Sequence, residues 1–464
     1  MAQTVLGIDI GSSKICAVIA DVRDGVPHII GMGKHRSQGV KKGLVVNIDL
    51  ASKAIRAAIT DAKRMAGAES LNKAIVSISG AYTKSVESSG VYNVAANEIG
   101  IKEIGQALVN AVYNAAIPLE FEVIQVLPYK FVLDQDIVED PMGMTGRRLE
   151  VYVHIVTAQH SSLENLRKTI HLAGVEIQNI VLSSYAASIT VLSDDEKELG
   201  VACIDIGGST CEIMIHDGNA MRYNNFLGVG SHHITSDLAM ALNTKIPAAE
   251  EVKIAYGNLC SSESEQRIEV PSVGVDDAVH FVMLNEAQNV IKMRVIETFG
   301  VLARYIEQSG LKDRLGAGVV LTGGMMNMQG IRELAKAFFQ DMPTRISKPI
   351  EMPGLFDELR DPAFSAVLGL IWYGAGKHTN YERDSMSKIC YKESKSLDDD
   401  MPFASQPTYI DNQNFQQNIM DTDLSDLREN LKQKSDAYTA SSRKESTIMG
   451  RFKESMTKIA EKLF

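Results

Sequence analysis

The stretch IDIGSSKI (Ile8–Ile15) returns 196 positions later within IDIGGSTCEI (Ile204–Ile213), with Ile-Asp-Ile-Gly and the serine two places beyond that glycine kept in register. Each copy is an apolar strand ending in aspartate, a tight Gly/Ser turn and a second apolar strand. Val5–Ile10 and Ile15–Ala20 therefore read as a hairpin joined by Gly11-Ser12-Ser13. One supersecondary unit used twice predicts two similar halves that face each other across a cleft.

Small turn residues expose backbone N–H groups without bulky side chains, which suits phosphate oxygens that approach closely. Gly11, Ser12, Ser13 and Lys14 from one copy, and Gly207, Gly208, Ser209 and Thr210 from the other, are the residues expected to grip a polyphosphate. Asp9 and Asp205, each two residues before its turn glycine, would then face one cation, and Mg²⁺ is the natural choice beside phosphates. Taken singly, either segment is an ordinary turn; the argument rests on the matched pair.

A third glycine turn, VVLTGGMMNMQGI (Val319–Ile331), follows an apolar strand and opens a helix. Gly323 and Gly324 would let the backbone approach a base or sugar, with Met325 as a soft apolar contact. In AEEVKIAYG (Ala249–Gly257), Glu250 and Lys253 stand at i and i+3 on one helical face, placed either as a solvated pair or to bond a ribose or adenine edge.

Apolar periodicity adds helices at Ile48–Ala66, Asn97–Ala116, Ser162–Leu172, Asn285–Glu307 and Ile331–Phe339. Strands are expected at Ala74–Ser79, Gly200–Asp205, Cys211–His216 and Gly318–Leu321, so strands and helices interleave as in an α/β fold with mixed sheets. With 464 residues the chain has room for several domains. Its net charge of −11 disfavours a general nucleic-acid binder. No apolar run is long enough to span a bilayer, and the first residues lack the pattern of a signal peptide, so a cytoplasmic protein is expected. The cysteines Cys16, Cys203, Cys211, Cys260 and Cys390 form no CxxC pair and read as reduced and structural.

Taken in order, the two phosphate turns and the adenosine turn resemble the nucleotide-binding motifs of the actin, sugar-kinase and heat-shock-chaperone superfamily. DPAFSAVLGLIWYG (Asp361–Gly374) looks like its second connecting helix, whose small residues Ala363, Ser365, Ala366 and Gly369 allow close packing at the hinge. ISGAYTKS (Ile78–Ser85), PMGMTGRRLEVYVHIVTA (Pro141–Ala158), SDDEKELGVACIDIGG (Ser193–Gly208) and AEEVKIAYG narrow the resemblance to the bacterial cell-division family FtsA, over Thr4 to Gly376. The second phosphate turn departs from the usual GGGT with a later aspartate, since Ser209 and Glu212 stand there. Ser184-Tyr185 replaces a common Pro-Leu, which implies a packing change.

The resemblance implies an actin-like, two-lobed ATPase fold with a family-specific inserted subdomain, IC. By this reading 1–83 and 162–196 form subdomain IA, 84–161 form IC, 197–237 and 311–360 form IIA, 238–310 form IIB, and 361–377 form the connecting helix back to IA. A disordered linker over 378–446 and an amphipathic helix over 447–464 complete the chain. The family uses IC for self-association and for contacts with later division proteins. It holds the C-terminal peptide of the tubulin-like filament protein FtsZ on IIB, where Arg294 is the residue expected to meet that acidic peptide; Arg294 reads equally as a plain surface arginine.

The segment from His378 to Ser442 carries twelve acids against seven bases and few apolar residues, the composition of a linker. Its pattern allows a short helix near Leu424–Lys434. Beyond it, Ile448, Phe452, Met456, Ile459 and Leu463 form one helical stripe, which Phe464 widens. Arg451, Lys453, Lys458 and Lys462 lie off the stripe. At about 25 Å such a helix is too short and too charged to cross a bilayer, so it is expected to lie in the headgroup plane of an anionic membrane.

The reading that joins these features is an ATP- and Mg²⁺-binding adaptor that polymerises with itself and tethers FtsZ filaments to the cytoplasmic face of the inner membrane at the division septum. It would recruit later septum proteins, and any ATPase activity would be weak. The alternatives are an actin-fold small-molecule kinase or phosphatase and a PilM-like pilus-assembly ATPase. Neither has use for a detachable membrane helix.

Overall fold

The computed structural model describes residues 3–391 except 96–97, 219, 261–265, 274–277 and 340–341. The linker from 392 onward, the helix considered near Leu424–Lys434 and the amphipathic helix with Ile448, Phe452, Met456, Ile459, Leu463 and Phe464 lie outside the described residues.

The two halves expected from the repeat are two five-stranded sheets with one topology. In the first, strands Gln3–Ile10, Lys14–Arg23 and Val26–Arg36 form an antiparallel meander, and Lys73–Ile78 and then Glu176–Leu182 add in parallel beside the first strand. In the second, Val201–Ile206, Cys211–Asp217 and Ala220–Leu227 form the meander, and Gly318–Thr322 and Thr344–Ile346 add in parallel. A strand covered on both faces reads as a continuous apolar run. In the first strand, Leu6, Ile8 and Ile10 pack in the cluster that holds Ile55, Ala58 and Ile59 of helix Ile48–Ala66, while Val5 joins Val367, Leu370 and Ile371 of helix Ser365–Gly374 on the opposite face.

The helix Ile48–Ala66 starts where the Asn47 side chain accepts from Leu50 N and ends at Gly67, whose φ of 64° closes the last turn. Strand Val26–Arg36 was not among the expected elements, because Gly31 and Gly33 dilute its β signal. The helix is the reason for those glycines: a Cβ on Gly33 would stand 2.0 Å from Ala58 O.

The inserted module contains strands Thr83–Asn93, Phe121–Leu133 and Arg148–Gln159 in one antiparallel sheet, with helix Ile101–Asn114 across it. The strand Phe121–Leu133 runs through a proline. Pro128 is tolerated inside it because the register shifts there, between Tyr152 and Val153 on the partner.

The expected linker boundary at residue 378 is corrected. Residues 378–391 belong to the folded body, where Glu382–Arg383 and Ile389–Cys390 extend the insert's sheet through Arg383 and Val126. The buried Glu382 carboxylate accepts from Gln125 of the insert at 2.8 Å, from Tyr185 at 2.7 Å and from Tyr373 of the connecting helix at 2.9 Å. Composition counted Glu382 and Asp384 as solvated linker acids, whereas both are buried and bonded, Asp384 Oδ2 accepting from Asn179 Nδ2 at 2.8 Å. Tyr185, one of the two departures near the first connecting region, gives its hydroxyl to this strap.

The connecting helix meets helix Ser183–Val191 at the small-residue face expected of a hinge, and a Cβ on Gly369 would stand 1.8 Å from Ala186 O. All five cysteines are free, as expected. No described helix is long and apolar enough to cross a membrane.

Two histidines sit at contacts between these parts. His154 Nε2 of the insert lies 2.7 Å from Asn224 Oδ1 of the second sheet, and His216 Nε2 of that sheet lies 3.2 Å from Ser188 Oγ. Burial pushes His154 down to about 4 and His216 down to about 3, so both are neutral in the folded chain near pH 5. In the unfolded chain each takes up a proton near the ordinary histidine value of about 6.5, so the unfolded state binds more protons below that pH. Each histidine therefore removes stability as pH falls from about 6.5 towards its folded value, by up to about 1.4 kcal/mol per unit. Urea midpoints at pH 7 and pH 5 are expected to differ less in His216→Gln than in the parent chain; an equal difference in both would refute the assignment.

Candidate functional site

The two repeated turns close in the same way. Gly11 N donates to Lys14 O at 3.1 Å, and Gly207 N donates to Thr210 O at 2.9 Å. The flanking strands pair with Ile10 opposite Ile15 and Ile206 opposite Cys211, so the displacement of 196 residues survives as an equivalence in space. Both turns open onto one cavity of about 470 Å³ between the sheets.

That cavity brings together Asp9, Gly11, Ser12, Ser13 and Lys14 from the first turn and Asp205, Gly207, Gly208 and Thr210 from the second. Glu250, Lys253, Gly323, Gly324 and Met325 line it from the other elements. Ser209 stands beside it, with Oγ 3.1 Å from His232 Nδ1.

Asp9 is oriented by Ser77, whose Oγ donates to Oδ1 at 2.8 Å and accepts from Ile10 N at 3.0 Å. Burial raises its carboxyl above the ordinary range, against the pull of Lys14 and that hydrogen bond. Asp205 is pushed up to about 7 by burial first, then by the charges of Glu212 and Asp9. Gly323, with φ of 95°, lets the third turn lie against it, since a Cβ there would stand 2.3 Å from Asp205 Oδ1. Beyond burial, the charge of Asp9 raises the proton affinity of both Asp205 and Glu212, so this corner of the cleft is short of positive charge. Asp9 and Asp205 supply hard oxygen donors from opposite sheets, which fits Mg²⁺.

Lys14 Nζ donates to Ala363 O at 2.6 Å and lies 4.3 Å from the centre of the Phe364 ring, which ties the first turn to the approach of the connecting helix. Glu250 and Lys253 are not a solvated pair. Lys253 Nζ donates to Glu250 Oε2 at 2.7 Å and to Thr235 Oγ1 at 3.0 Å, and Thr235 also donates to Glu250, all at the cavity wall. The lysine is 8% exposed, so its charge is held inside the site.

Arg294 is corrected as a surface contact. It is 4% exposed, and its guanidinium forks onto Asp237, with Nε to Oδ2 at 2.6 Å and Nη2 to Oδ1 at 3.0 Å, while Nη1 reaches Glu297 at 2.8 Å. A guanidinium already bound by two carboxylates inside the fold is not presented to a peptide. Helix Leu284–Gln308, on which it lies, otherwise agrees with the expected boundaries to within one residue at each end.

Two residues of the site were not among those expected to act. Glu212, noted only as a departure, lines the cavity and accepts from Ser79 Oγ at 2.7 Å, Gly80 N at 3.0 Å and Ser183 Oγ at 2.7 Å, all from the first half. Its signal was legible: an acid in an apolar strand directly opposite Asp205 in the hairpin shares that aspartate's face. The other is His232, at the start of helix Ser231–Ala241, for which no local pattern gave notice.

Comparison with known proteins bears on the family and the fold. The family model "Cell division protein FtsA" matches residues 202–369, and the model "SHS2 domain inserted in FTSA" matches residues 80–157, within the inserted module apart from its first few residues. A cell division protein FtsA of Helicobacter pylori is 46% identical over 84% of this chain and 86% of its own length. Those of Pseudomonas aeruginosa and Escherichia coli are 37% and 29% identical, over 85% and 83% of this chain and 94% of their own lengths. Among solved structures, a PilM–PilN type IV pilus biogenesis complex superposes with a TM-score of 0.57 at 17% identity, over 80% of this chain and 98% of that one, which is a likeness of fold. With an actin-like pair of lobes, an inserted SHS2 module and relatives matched over most of their length, the chain belongs to the FtsA family of cell division proteins.

Proposed function

We propose that this protein binds ATP with Mg²⁺ in the cleft between its two lobes, self-associates, and tethers FtsZ filaments to the cytoplasmic face of the inner membrane at the septum, where it gathers later division proteins. The observation that carries the nucleotide reading is the pair of equivalent turns that set Asp9 and Asp205 on one cavity. Gly11 to Lys14 and Gly207 to Thr210 hold the phosphates, and Glu250, Lys253 and the turn Gly323–Met325 hold the nucleoside. Mg²⁺ bound between Asp9 and Asp205 supplies the positive charge that lets phosphates sit beside carboxylates.

The membrane anchor is Ile448–Phe464, whose apolar stripe enters the lipid interface while Arg451, Lys453, Lys458 and Lys462 meet anionic headgroups. A single helix of this kind binds weakly. Polymerisation places many on one surface, and the gain in avidity is about 10²–10⁴. The FtsZ peptide docks on region 238–310.

Co-sedimentation of the full chain with vesicles of anionic phospholipid tests this reading. With Mg-ATP the parent chain is expected in the pellet. The chain lacking Ile448–Phe464, or carrying Phe452→Glu, is expected in the supernatant with its ATP affinity unchanged. Equal pelleting of all three would overturn the membrane assignment.

A further inference from the structure

His232 stands where the two turns meet. Its Nε2 lies 2.9 Å from Ser13 Oγ and its Nδ1 lies 3.1 Å from Ser209 Oγ. Those serines are the equivalent residues of the two turns, so one imidazole joins the same position of both repeats across the cleft.

The backbone that delivers the ring is fixed independently of it. His232 N donates to Gly208 O at 2.7 Å, and Ser231 N donates to Gly207 O at 3.0 Å, which spends the first N–H groups of the helix on the second turn. Gly230 makes this approach possible, since a Cβ there would stand 2.6 Å from Gly207 O. Gly208 does the same for the opposite turn: a Cβ on it would stand 2.1 Å from Ser13 Oγ and 3.1 Å from the His232 ring. Two glycines and a helix start thus bring the turns into contact, with an imidazole and two hydroxyls at the joint.

Burial and the charge of Lys253 hold His232 below the ordinary histidine value, opposed by Glu250 and joined by Arg36. A neutral imidazole has one donor and one acceptor, and a hydroxyl serves as either, so both contacts are satisfied in the absence of a ligand. A phosphate oxygen accepts only. With the ring N–H given to one serine and the bare ring nitrogen taking the proton of the other, only the first hydroxyl keeps its proton for a phosphate oxygen, and of the two serines Ser13 is the one on the cavity wall.

Resting on the nucleotide reading above, we propose that His232 is a positioning residue for the phosphate chain: its ring N–H is given to Ser13 Oγ, which leaves that hydroxyl's proton for a phosphate oxygen, while Ser209 holds the other ring nitrogen.

Affinities of ATP and ADP for the full-length chain, measured by titration calorimetry in Mg²⁺ buffer, and of adenosine by competition, test this. His232→Ala is expected to lose about tenfold in ATP and ADP affinity, the value of one hydroxyl bond to a charged group once the Ser13 hydroxyl is no longer held in place. Adenosine affinity is expected to stay within about twofold, because the nucleoside contacts lie elsewhere. His232→Gln, which keeps an N–H donor at about the reach of the ring Nε2, is expected to recover most of the loss and serves as the control for folding. Unchanged ATP affinity in His232→Ala would overturn the inference, as would a parallel loss for adenosine or a glutamine variant no better than alanine. Failure of the parent chain to bind either nucleotide would instead remove the nucleotide reading, and this inference with it.

Discussion

Replacing Asp205 by alanine is expected to weaken Mg²⁺-dependent ATP binding by about 100-fold or more, since loss even of groups that only support a metal's ligands costs about 10–100-fold. The carboxylate lies at the end of Val201–Ile206, directly opposite Glu212 and against the backbone of Gly323. Burial first, and then the charges of Glu212 and Asp9, push it up to about 7. Removing it also relieves repulsion between that corner of the cleft and an anionic phosphate. ATP affinity in the absence of Mg²⁺ is therefore expected to hold or improve, and the mark of the variant is the disappearance of the Mg²⁺ effect. Titration of the parent and Asp205→Ala with ATP, in Mg²⁺ and in EDTA, reads both quantities. A variant that still gains affinity from Mg²⁺ would show that the cation does not sit between Asp9 and Asp205.

The second large effect concerns stability. Arg294→Ala is expected to destabilise the fold by about 3–5 kcal/mol, the cost of leaving one member of a buried ion pair without the other. Asp237 is 3% exposed and receives both Nε and Nη2 of the guanidinium, so its carboxylate would stay buried without its main partner. Adding Asp237→Ala removes the stranded charge, and the double variant is expected to be more stable than Arg294→Ala alone. Urea midpoints of the three chains and the parent decide the matter. If Arg294 served a peptide at the surface, its alanine variant would unfold at the parent midpoint. The pair also bears on how FtsZ binding is tested: a loss of binding in Arg294→Ala must be read beside the midpoint, because helix Leu284–Gln308 and helix Ser231–Ala241 are joined through this contact.

The strap over 378–391 ties three parts of the body at Glu382. Gln125 belongs to the insert, Tyr185 to the helix Ser183–Val191, and Tyr373 to the connecting helix. The described chain therefore closes on this joint rather than directly after the connecting helix.

What the sequence determined by itself was the repeat and everything local to it. Ile-Asp-Ile-Gly followed by small residues fixes a strand, an aspartate at its end and a tight turn, because backbone sterics and apolar alternation act over a few residues. Two copies of that code therefore gave two hairpins, two equivalent Gly N–H closures and two acids on one cavity. Glu212 was within reach of the same logic, since the hairpin places it opposite Asp205. Tertiary structure alone decided which distant groups meet: Arg294 with Asp237, Glu382 with Tyr185 and Gln125, and His232 with Ser13, which lies 219 residues away along the chain. Such pairs depend on how whole sheets and helices dock, and docking is set by packing of surfaces summed over many residues. A charged residue in a polar-looking segment has the same local pattern whether it meets water or a buried partner. The sequence could therefore place Arg294 on its helix and Glu382 in its segment, and only the folded chain could say that both charges point inward.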